Sequence, residues 1–405
     1  MKICLICPSL VTTPPYFGGA IETFTYELGV ELAKLNNEVK IITRKGMSDE
    51  YNEDSNLTLH FLKIPDNVLI RGIFYNLKTL ITLLKLKNMD IIHTQGTSVL
   101  PCAVFISKTI KIPLIHTEHV YRPWIDPSDK SLLKRIKYPI ELILGKFAMK
   151  NVEKIVVSNE LMKKSIQMRG LNRKIALEVV PQGINSKAFN FKMKSNYIRE
   201  KYDLSKGDKI ILYVGRIVPE KNLQILLEAF AKIQKTNSNV KLLLVGPRTH
   251  KFPTKKGVNV TSSYYRELEN WVQQQSLGQS IIFTGPIPYK TISHYYAGST
   301  LLIQPSLFET FGRSIFEAVA MGVPFICTQI GNRKPIYLPK SSGIFINNIN
   351  AVKLERSIQK MLTSESKFKK DAYNAALHIQ QHYNWGEIAK KYLKIYEMVK
   401  AYSKN

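Results

Sequence analysis

The stretch from Pro305 to Pro324 holds two glutamates, Glu309 and Glu317, eight positions apart around a Thr-Phe-Gly turn. An apolar run precedes the turn and Gly322 closes the segment after it, so the pattern predicts a strand, a glycine turn and a short helix. The N–H groups and the dipole at the start of such a helix favour an anion, typically a phosphate. The two carboxylates would therefore lie along one ligand, with a phosphate in its middle and hydroxyl-bearing groups at its ends.

Spacing alone leaves two other interpretations of this glutamate pair open. The pair could be a solvated helix face, since glutamate is common on helices, or the acid/base pair of a glycosidase. Retaining glycosidases hold their carboxylates about 5 Å apart and inverting ones roughly 6.5–9.5 Å apart. Eight residues of helix span on the order of 12 Å, so an opposed catalytic pair is disfavoured.

A second strand-to-helix turn carries two cations. Arg216 follows an apolar strand, and Lys221 comes five residues later near the start of a helix. Two cations at a helix N-terminus suit a diphosphate, which arginine can bind through two parallel hydrogen bonds. An exposed basic turn is the simpler alternative. A third turn, Gly18-Gly19, lets the backbone approach a ligand closely, although a glycine pair is often only a turn.

The elements that must position these turns alternate between strand and helix. Strands separated by helices at this spacing are typical of parallel α/β sheets, whose ligands lie at the carboxyl ends of the strands. We therefore expect two doubly wound domains that face one another, with the ligand in the cleft between them. The predicted strands cover 2–8, 39–43, 57–64, 90–93, 113–116 and 154–158, and then 210–214, 240–245, 281–284, 300–304 and 324–328.

The length of 405 residues exceeds what one core usually supports and predicts two domains. We expect an N-terminal Rossmann-like domain over 1–186, a C-terminal one over 187–375, and helices over 376–405 that pack back across the first domain. The run MKICLICPSL is too short for a signal peptide, and no segment reaches about 18 uninterrupted apolar residues. Together with cysteines that resemble buried thiols more than a redox pair, this favours a cytoplasmic protein.

The net charge of +27 is compatible with nucleic acid, anionic lipid or a polyanionic substrate. Lysine greatly outnumbers arginine and no nucleic-acid-reading module is recognisable, so we expect no nucleic-acid partner. Residues 130–174 hold twelve basic and three acidic side chains, and 68–89 is amphipathic. These two segments could meet an anionic membrane at its inner face or a polyanionic acceptor, or they could form solvated helix faces.

Arg216, Lys221 and the Glu309-x7-Glu317 pair within ETFGRSIFEAVAMGVP together resemble the donor site of family-four retaining glycosyltransferases of the GT-B fold. The resemblance runs nearly end to end, and a chance match to all of its parts in order is remote. The other matching segments are 18–22, 90–93, 117–119, 181–185 and Trp385.

The resemblance implies a role for each candidate residue. Arg216 and Lys221 would hold the diphosphate of a nucleotide-sugar, and Glu317 would bind the ribose hydroxyls. Glu309 would contact the donor sugar, which His119 would reach from the other domain. The implied catalytic residues are Glu309, His119, Arg216 and Lys221, and the implied donor-binding residues are Gly18, Gly19, Arg216, Lys221, Phe311, Gly312 and Glu317, with Phe311 and Gly312 contributing backbone N–H groups.

The resemblance also implies the reaction. Fixed cations and helix N-termini would stabilise the charge that builds on the departing diphosphate, so no metal is expected, and no cofactor besides the nucleotide-sugar substrate. The enzyme would be a retaining hexosyl- or N-acetylhexosaminyl-transferase of cell-envelope polysaccharide biosynthesis. A nucleotide-sugar epimerase of GT-B architecture and a non-catalytic sugar-binding or coat-associated protein are the alternatives.

Two segments depart from the family pattern. Residues 331–335 read Gly-Asn-Arg-Lys-Pro where the family often has Gly-Gly-x-Pro-Glu, and 245–248 replace a more usual Gly-x-Gly. The resemblance therefore leaves the sugar and the acceptor open. His93 and His116 are explained as structural residues at strand ends.

Overall fold

The computed structural model describes residues 1–48, 55–86, 88–119, 143–168, 176–248, 262–329 and 342–403. The chain divides into two compact units. The first unit comprises Met1–Gly183 and Trp385–Asn405, and the second unit comprises Ile184–Asn384.

The first unit is built on a parallel sheet of seven strands within the described residues, in the order β3-β2-β1-β4-β5-β6-β7. Its inner strands are mostly apolar and are buried on both faces, as in parallel sheets covered by helices. The strands are β1 (Lys2–Ile6), β2 (Glu38–Arg44), β3 (Leu57–Leu62), β4 (Ile91–Thr94), β5 (Leu114–Glu118), β6 (Lys154–Val157) and β7 (Ala176–Val179). The helices are α1 (Ala20–Lys34), α2 (Val68–Lys85), α3 (Leu100–Ile110), α4 (143–149), α5 (Glu160–Met168) and, from the end of the chain, α13 (Trp385–Tyr402).

The last helix, α13, packs against α1 within the first unit. Trp385 is 2% exposed and lies edge-on to Phe24 with ring centroids 5.1 Å apart. Its indole also covers Gly183, where an added Cβ would come within 2.4 Å of the ring. The glycine at position 183 therefore allows the tryptophan to dock.

The second unit repeats the same design with six described strands in the order β10-β9-β8-β11-β12-β13, all parallel. The strands are β8 (Lys209–Val214), β9 (Val240–Val245), β10 (Ile281–Gly285), β11 (Leu301–Gln304), β12 (Phe325–Thr328) and β13 (Gly343–Ile346). The helices are α6 (Tyr197–Lys201), α7 (Leu223–Thr236), α8 (Ser263–Gln274), α9 (Ile292–Ala297), α10 (Arg313–Ala320), α11 (Ala351–Thr363) and α12 (Glu365–His382).

The doubly wound parallel architecture of both units confirms the α/β fold expected from the sequence. Two strands were not predicted: β7 and β13, which form one edge of each sheet. Each has four residues and only partial burial, so neither produces the long apolar run that marks an inner strand. The change from the second unit back to the first falls between Asn384 and Trp385, nine residues after the expected start of the returning helices.

Candidate functional site

The two turns that carry charged residues in the second unit leave neighbouring strands. β8 pairs with β9 on one side and β11 on the other, so the connections diverge between β8 and β11. Ligands of open α/β sheets bind at such a switch point, outside the carboxyl ends of the strands. The turns after these strands touch, because the backbone N–H of Leu307 donates to the carbonyl oxygen of Glu220 over 2.9 Å.

Lys221 and Glu309 meet where these turns touch. Lys221 ends a single 3-10 turn, Pro219–Lys221, and its Nζ donates to Oε2 of Glu309 over 2.7 Å. Their side chains are 15% and 27% exposed, so the pair lies in a recess that solvent still reaches. The ammonium group has three donors, and this ion pair uses one of them. The structure thus brings together two of the predicted catalytic residues.

Arg216 lies at the entrance to the same turn. The hydroxyl of Tyr213 donates to the Arg216 carbonyl over 2.7 Å and fixes the backbone there. Burial raises the pKa of Tyr213 far above its usual range, with Glu309 adding to the effect, so the phenol keeps its proton. The guanidinium donates from Nη2 to Oε1 of Glu220 over 3.1 Å and is 39% exposed. It is therefore accessible to an anion in solution.

Helix α10 begins beside this pair of turns. Gly312 adopts φ of +78°, a left-handed conformation that favours glycine, and it has no side chain to cap the first turn. Phe311 is 6% exposed and lies edge-on to Phe316 at 5.2 Å, which anchors the turn to the core. The helix dipole favours negative charge at this N-terminal end of α10.

Glu317 lies apart from Glu309, on the second turn of α10, and is 3% exposed. Its Oε1 accepts hydrogen bonds from the Tyr289 hydroxyl at 2.7 Å and from Nε of Arg313 at 2.9 Å. Its Oε2 accepts from the Tyr296 hydroxyl at 3.0 Å. The two glutamates of the motif thus occupy different surroundings, one in a solvent-accessible ion pair and one in a buried polar cluster.

The backbone segments that follow β8 and β9 also approach each other closely. Gly246 has φ of +143°, and a Cβ built there would lie 2.0 Å from the carbonyl oxygen of Gly215. Next to it the N–H of Ile217 donates to the carbonyl of Pro247 over 2.9 Å. Although residues 245–248 depart from the family pattern, they still have a glycine at position 246, where a side chain cannot fit.

Gly18 and Gly19 lead into α1 in the first unit, where Gly18 has φ of +83°. A Cβ on Gly19 would come within 2.6 Å of Oε2 of Glu22. Glu22 is 4% exposed and accepts hydrogen bonds from its own N–H and that of Val11; burial raises its pKa to about 7. The glycine turn therefore borders a buried carboxyl group that sequence reasoning did not assign to the site.

His119 follows β5 and is 7% exposed. Its Nε2 lies 2.8 Å from Oε1 of Gln95, and its ring is edge-on to Phe24 at 4.7 Å. Burial lowers the pKa of His119 to about 3; Glu118 raises it and His116 lowers it by lesser amounts. The imidazole is therefore neutral near pH 7 and acts as a hydrogen-bonding group.

His93 is fully buried, and both of its ring nitrogens are engaged. Nδ1 lies 2.7 Å from the Tyr396 hydroxyl, and Nε2 lies 2.7 Å from Oγ1 of Thr117. Burial lowers the pKa of His93 well below its usual range. This environment is that of a core residue that ties β4 to α13.

Sequence reasoning missed Arg313, Tyr289 and Gln95. Arg313 lies inside the motif, four residues before Glu317, and that spacing on a helix could have identified it. Tyr289 and Gln95 carry no sequence signal, since only the fold brings them to Glu317 and His119. Residues 331–335 and much of the basic run, 130–142 and 169–174, lie outside the described residues.

In the part of the chain that the structure describes, no three His, Cys, Asp or Glu side chains are grouped to hold a metal ion. No described helix combines the length and the apolar character needed to cross a membrane.

Comparisons with known proteins agree with the fold. The family model described as Glycosyltransferase Family 4 matches residues 17–188, and that of Glycosyl transferases group 1 matches residues 194–378. The chain is 27% identical over 326 residues to alpha-monoglucosyldiacylglycerol synthase of Streptococcus pneumoniae, covering 78% of this chain and 69% of that protein.

Two solved structures share the fold across nearly the whole chain. Sucrose-phosphate synthase from Thermosynechococcus elongatus superimposes with a TM-score of 0.80 at 21% identity, covering 99% of this chain and 100% of that one. HepE from Anabaena, solved in complex with UDP-glucose, gives 0.73 at 15% identity, covering 98% and 100%.

The fold and the matched models define a glycosyltransferase of GT-B architecture. Within that class, residues 194–378 belong to the glycosyl transferases group 1 family and residues 17–188 to Glycosyltransferase Family 4.

Proposed function

We propose that this glycosyltransferase moves a sugar from a nucleotide-diphosphate sugar to a glycan, a lipid or a cell-envelope polymer precursor, with retention of anomeric configuration. The observation that carries the proposal is the contact between the turns after β8 and β11. There Lys221 is ion-paired with Glu309, which precedes the α10 N-cap residue Gly312 by three residues, and the Arg216 guanidinium pairs with Glu220 in the same turn as Lys221. Cations and a helix N-terminus together suit a diphosphate.

The donor would interact with both positively and negatively charged side chains. Arg216 and Lys221 would bind the diphosphate and stabilise the charge that develops as it leaves. Backbone N–H groups of Phe311 and Gly312 would assist. Glu309, held 2.7 Å from the Lys221 ammonium, would contact the sugar. HepE was solved with UDP-glucose, which supports a nucleotide-sugar donor for a chain of the same fold.

Retention and metal independence are further parts of the proposal. Lys221 and Arg216 supply the positive charge that a metal ion supplies in other transferases, so addition of EDTA should leave turnover unchanged. A hexose or N-acetylhexosamine is the proposed sugar, and the similarity to a synthase of glucosyldiacylglycerol supports a lipid among the candidate acceptors.

We also propose that the enzyme works at the inner face of an anionic membrane, with α2 as a contact element. The helix exposes Ile73 at 69% and Leu77 at 54%, and Lys78 and Lys85 lie on the same helix. Apolar side chains beside lysines suit the boundary of an anionic bilayer. Co-sedimentation with vesicles should show a preference for anionic over neutral lipid that the double substitution Ile73→Ser, Leu77→Ser reduces. Equal binding to both vesicles would contradict membrane contact.

The test of the transfer reaction is incubation with a panel of nucleotide-sugars, with nucleotide release measured with and without candidate acceptors. We expect one donor to release nucleotide at a rate that an acceptor raises, and the product to keep the donor's anomeric configuration by NMR. A changed sugar nucleotide formed without any acceptor would indicate an epimerase. No turnover with any donor, and no binding of one, would contradict the proposal.

A further inference from the structure

The Glu317 carboxylate is held by side chains from three segments. Arg313 lies on the same helix, Tyr289 lies in the turn after β10, and Tyr296 lies on α9. Arg313 also donates from Nη2 to the Tyr289 hydroxyl over 2.8 Å. Arg313, Tyr289 and Glu317 therefore close a triangle of hydrogen bonds, and Tyr296 adds a fourth from the other carboxylate oxygen.

This cluster differs from an ordinary ion pair on a helix surface. The side chains of Arg313 and Glu317 are only 14% and 4% exposed. Removing two charges from water costs more than their attraction returns unless further hydrogen bonds satisfy them. A pair needed only to stabilise the helix would gain little from such burial. The arrangement instead fixes the position of one carboxylate.

The direction of each hydrogen bond in the cluster is determined. The Tyr289 hydroxyl accepts from Arg313, so its single proton is donated to Oε1 of Glu317. Burial raises the pKa of Tyr289 and of Tyr296 well above the usual range, so both keep that proton. Burial lowers the pKa of Arg313, but Tyr289 and Glu317 more than offset this, and the net shift is upward.

A carboxylate offers about four lone-pair positions, and three of those on Glu317 are occupied by Tyr289, Tyr296 and Arg313. We propose that Arg313, Tyr289 and Tyr296 are positioning residues that aim the remaining lone pair of Glu317 at one hydroxyl of the donor ribose. The inference rests on the donor site proposed above and on Glu317 as its ribose contact. It adds a geometric reason for selecting a ribonucleotide over a deoxyribonucleotide.

The experiment is calorimetric titration of the full chain with UDP, ADP and GDP and with their 2′-deoxy and 3′-deoxy forms. For the nucleoside diphosphate that binds, the wild type should bind the ribonucleotide about tenfold to a hundredfold more tightly than one of its deoxy forms. This is the change in affinity expected from one hydrogen bond to a charged group. Arg313→Gln should bring that ratio to within about threefold of unity. In turnover, KM for the donor should rise more than kcat falls, since the ribose contact is the same in ground and transition states.

Arg199→Gln is the matched control, since Arg199 also lies in the second unit and donates to the Asp208 carbonyl over 3.0 Å. It should keep the wild-type ratio. Arg313→Lys should not rescue, because an ammonium group cannot bridge Glu317 and Tyr289 as the planar guanidinium does. An Arg313→Gln variant that still discriminates as strongly as the wild type would overturn the inference.

If Arg313→Gln does not fold, Tyr289→Phe decides the question, since it removes one hydroxyl and keeps the ring. The ribose ratio should then fall several-fold, and an unchanged ratio would overturn the inference. A wild type that does not distinguish ribose from deoxyribose would also overturn it. Sugar transfer in the donor panel would be unaffected by that result, so failure of this inference is distinguishable from failure of the proposed function.

Discussion

The two units share a strand order around their first strands but differ in what those strands present at their carboxyl ends. In the second unit the ends of β8 and β11 lead to charged groups, with Lys221 and Glu309 in contact at 2.7 Å. In the first unit the ends of β4 and β5 lead to His119 and Gln95, a buried and uncharged pair. The two units thus place different kinds of side chain at the carboxyl ends of their strands.

The difference follows from what each environment can stabilise. A diphosphate is bound by cations and N–H groups that solvent reaches, as at Arg216. A hydroxyl group can also be bound by neutral groups of fixed orientation. Since Nε2 of His119 is paired with Oε1 of Gln95, that nitrogen carries the proton and Nδ1 becomes the acceptor. The second unit thus presents charged residues at these strand ends, and the first presents the neutral pair of His119 and Gln95.

The largest effect should come from breaking the charged pair. Lys221→Ala and Glu309→Ala should each lower turnover at least about a hundredfold, the scale of losing one transition-state contact. Lys209→Ala is the matched control, since Lys209 forms an ion pair of 2.6 Å with Glu365 elsewhere in the second unit. Turnover within threefold of wild type for both site variants would contradict the assignment.

The backbone contact at Gly246 in the second unit should tolerate a side chain less well than Gly96, a glycine of similar φ in the first unit. Gly246→Ala places a Cβ 2.0 Å from the Gly215 carbonyl at φ of +143° and should cost about 2–4 kcal/mol of unfolding free energy. Gly96→Ala has φ of +133° but meets only Pro8 at 3.9 Å, so it should cost only about 1–2 kcal/mol, from backbone strain alone. Urea denaturation measures both, and equal costs would remove the contrast.

The buried carboxyl of the first unit should give a pH-dependent stability. Burial raises the pKa of Glu22 from 4.5 to about 7, so the folded state holds its proton longer than the unfolded state. The contribution of Glu22 to the free energy of unfolding is therefore fully present below about pH 4.5. It is lost as the pH rises through about 7. Glu22→Gln removes this titration. The free energy of unfolding of the variant, relative to that of the wild type, should therefore rise by about 2–3 kcal/mol between pH 5 and 8.

Urea denaturation at several pH values measures that gain. A difference between wild type and Glu22→Gln that stays constant across this range would show that Glu22 is ionised throughout.

The smallest change observed in the folded state should be the titration of His119. Its pKa is lowered to about 3 by burial, so the unfolded chain binds the proton first and stability falls as pH drops from about 6.5 toward 3. Between pH 7 and 8 no change is expected. In NMR spectra assigned with a His119→Asn variant, the imidazole resonances should not titrate between pH 5 and 8. Titration near 6.5, the value of a free histidine, would make the first unit a charged site like the second.

The parallel sheets could be predicted from the sequence because their inner strands are short apolar runs at regular spacing. The edge strands β7 and β13 could not, since partial burial weakens the apolar pattern. The motif identified Glu309 and Glu317 but not their different surroundings. Tyr289 reaches Glu317 from 28 residues away, a contact that depends on the register of the sheet and not on local spacing.

The turns after β8 and β11 should bind the diphosphate of the donor, and nucleotide binding tests this most directly. Titration with UDP, ADP and GDP should give a measurable dissociation constant for at least one of them. For that nucleotide, Lys221→Ala should weaken binding about tenfold or more, and Lys209→Ala should match the wild type. Equal affinity in all three proteins, or no binding to the wild type, would contradict the account.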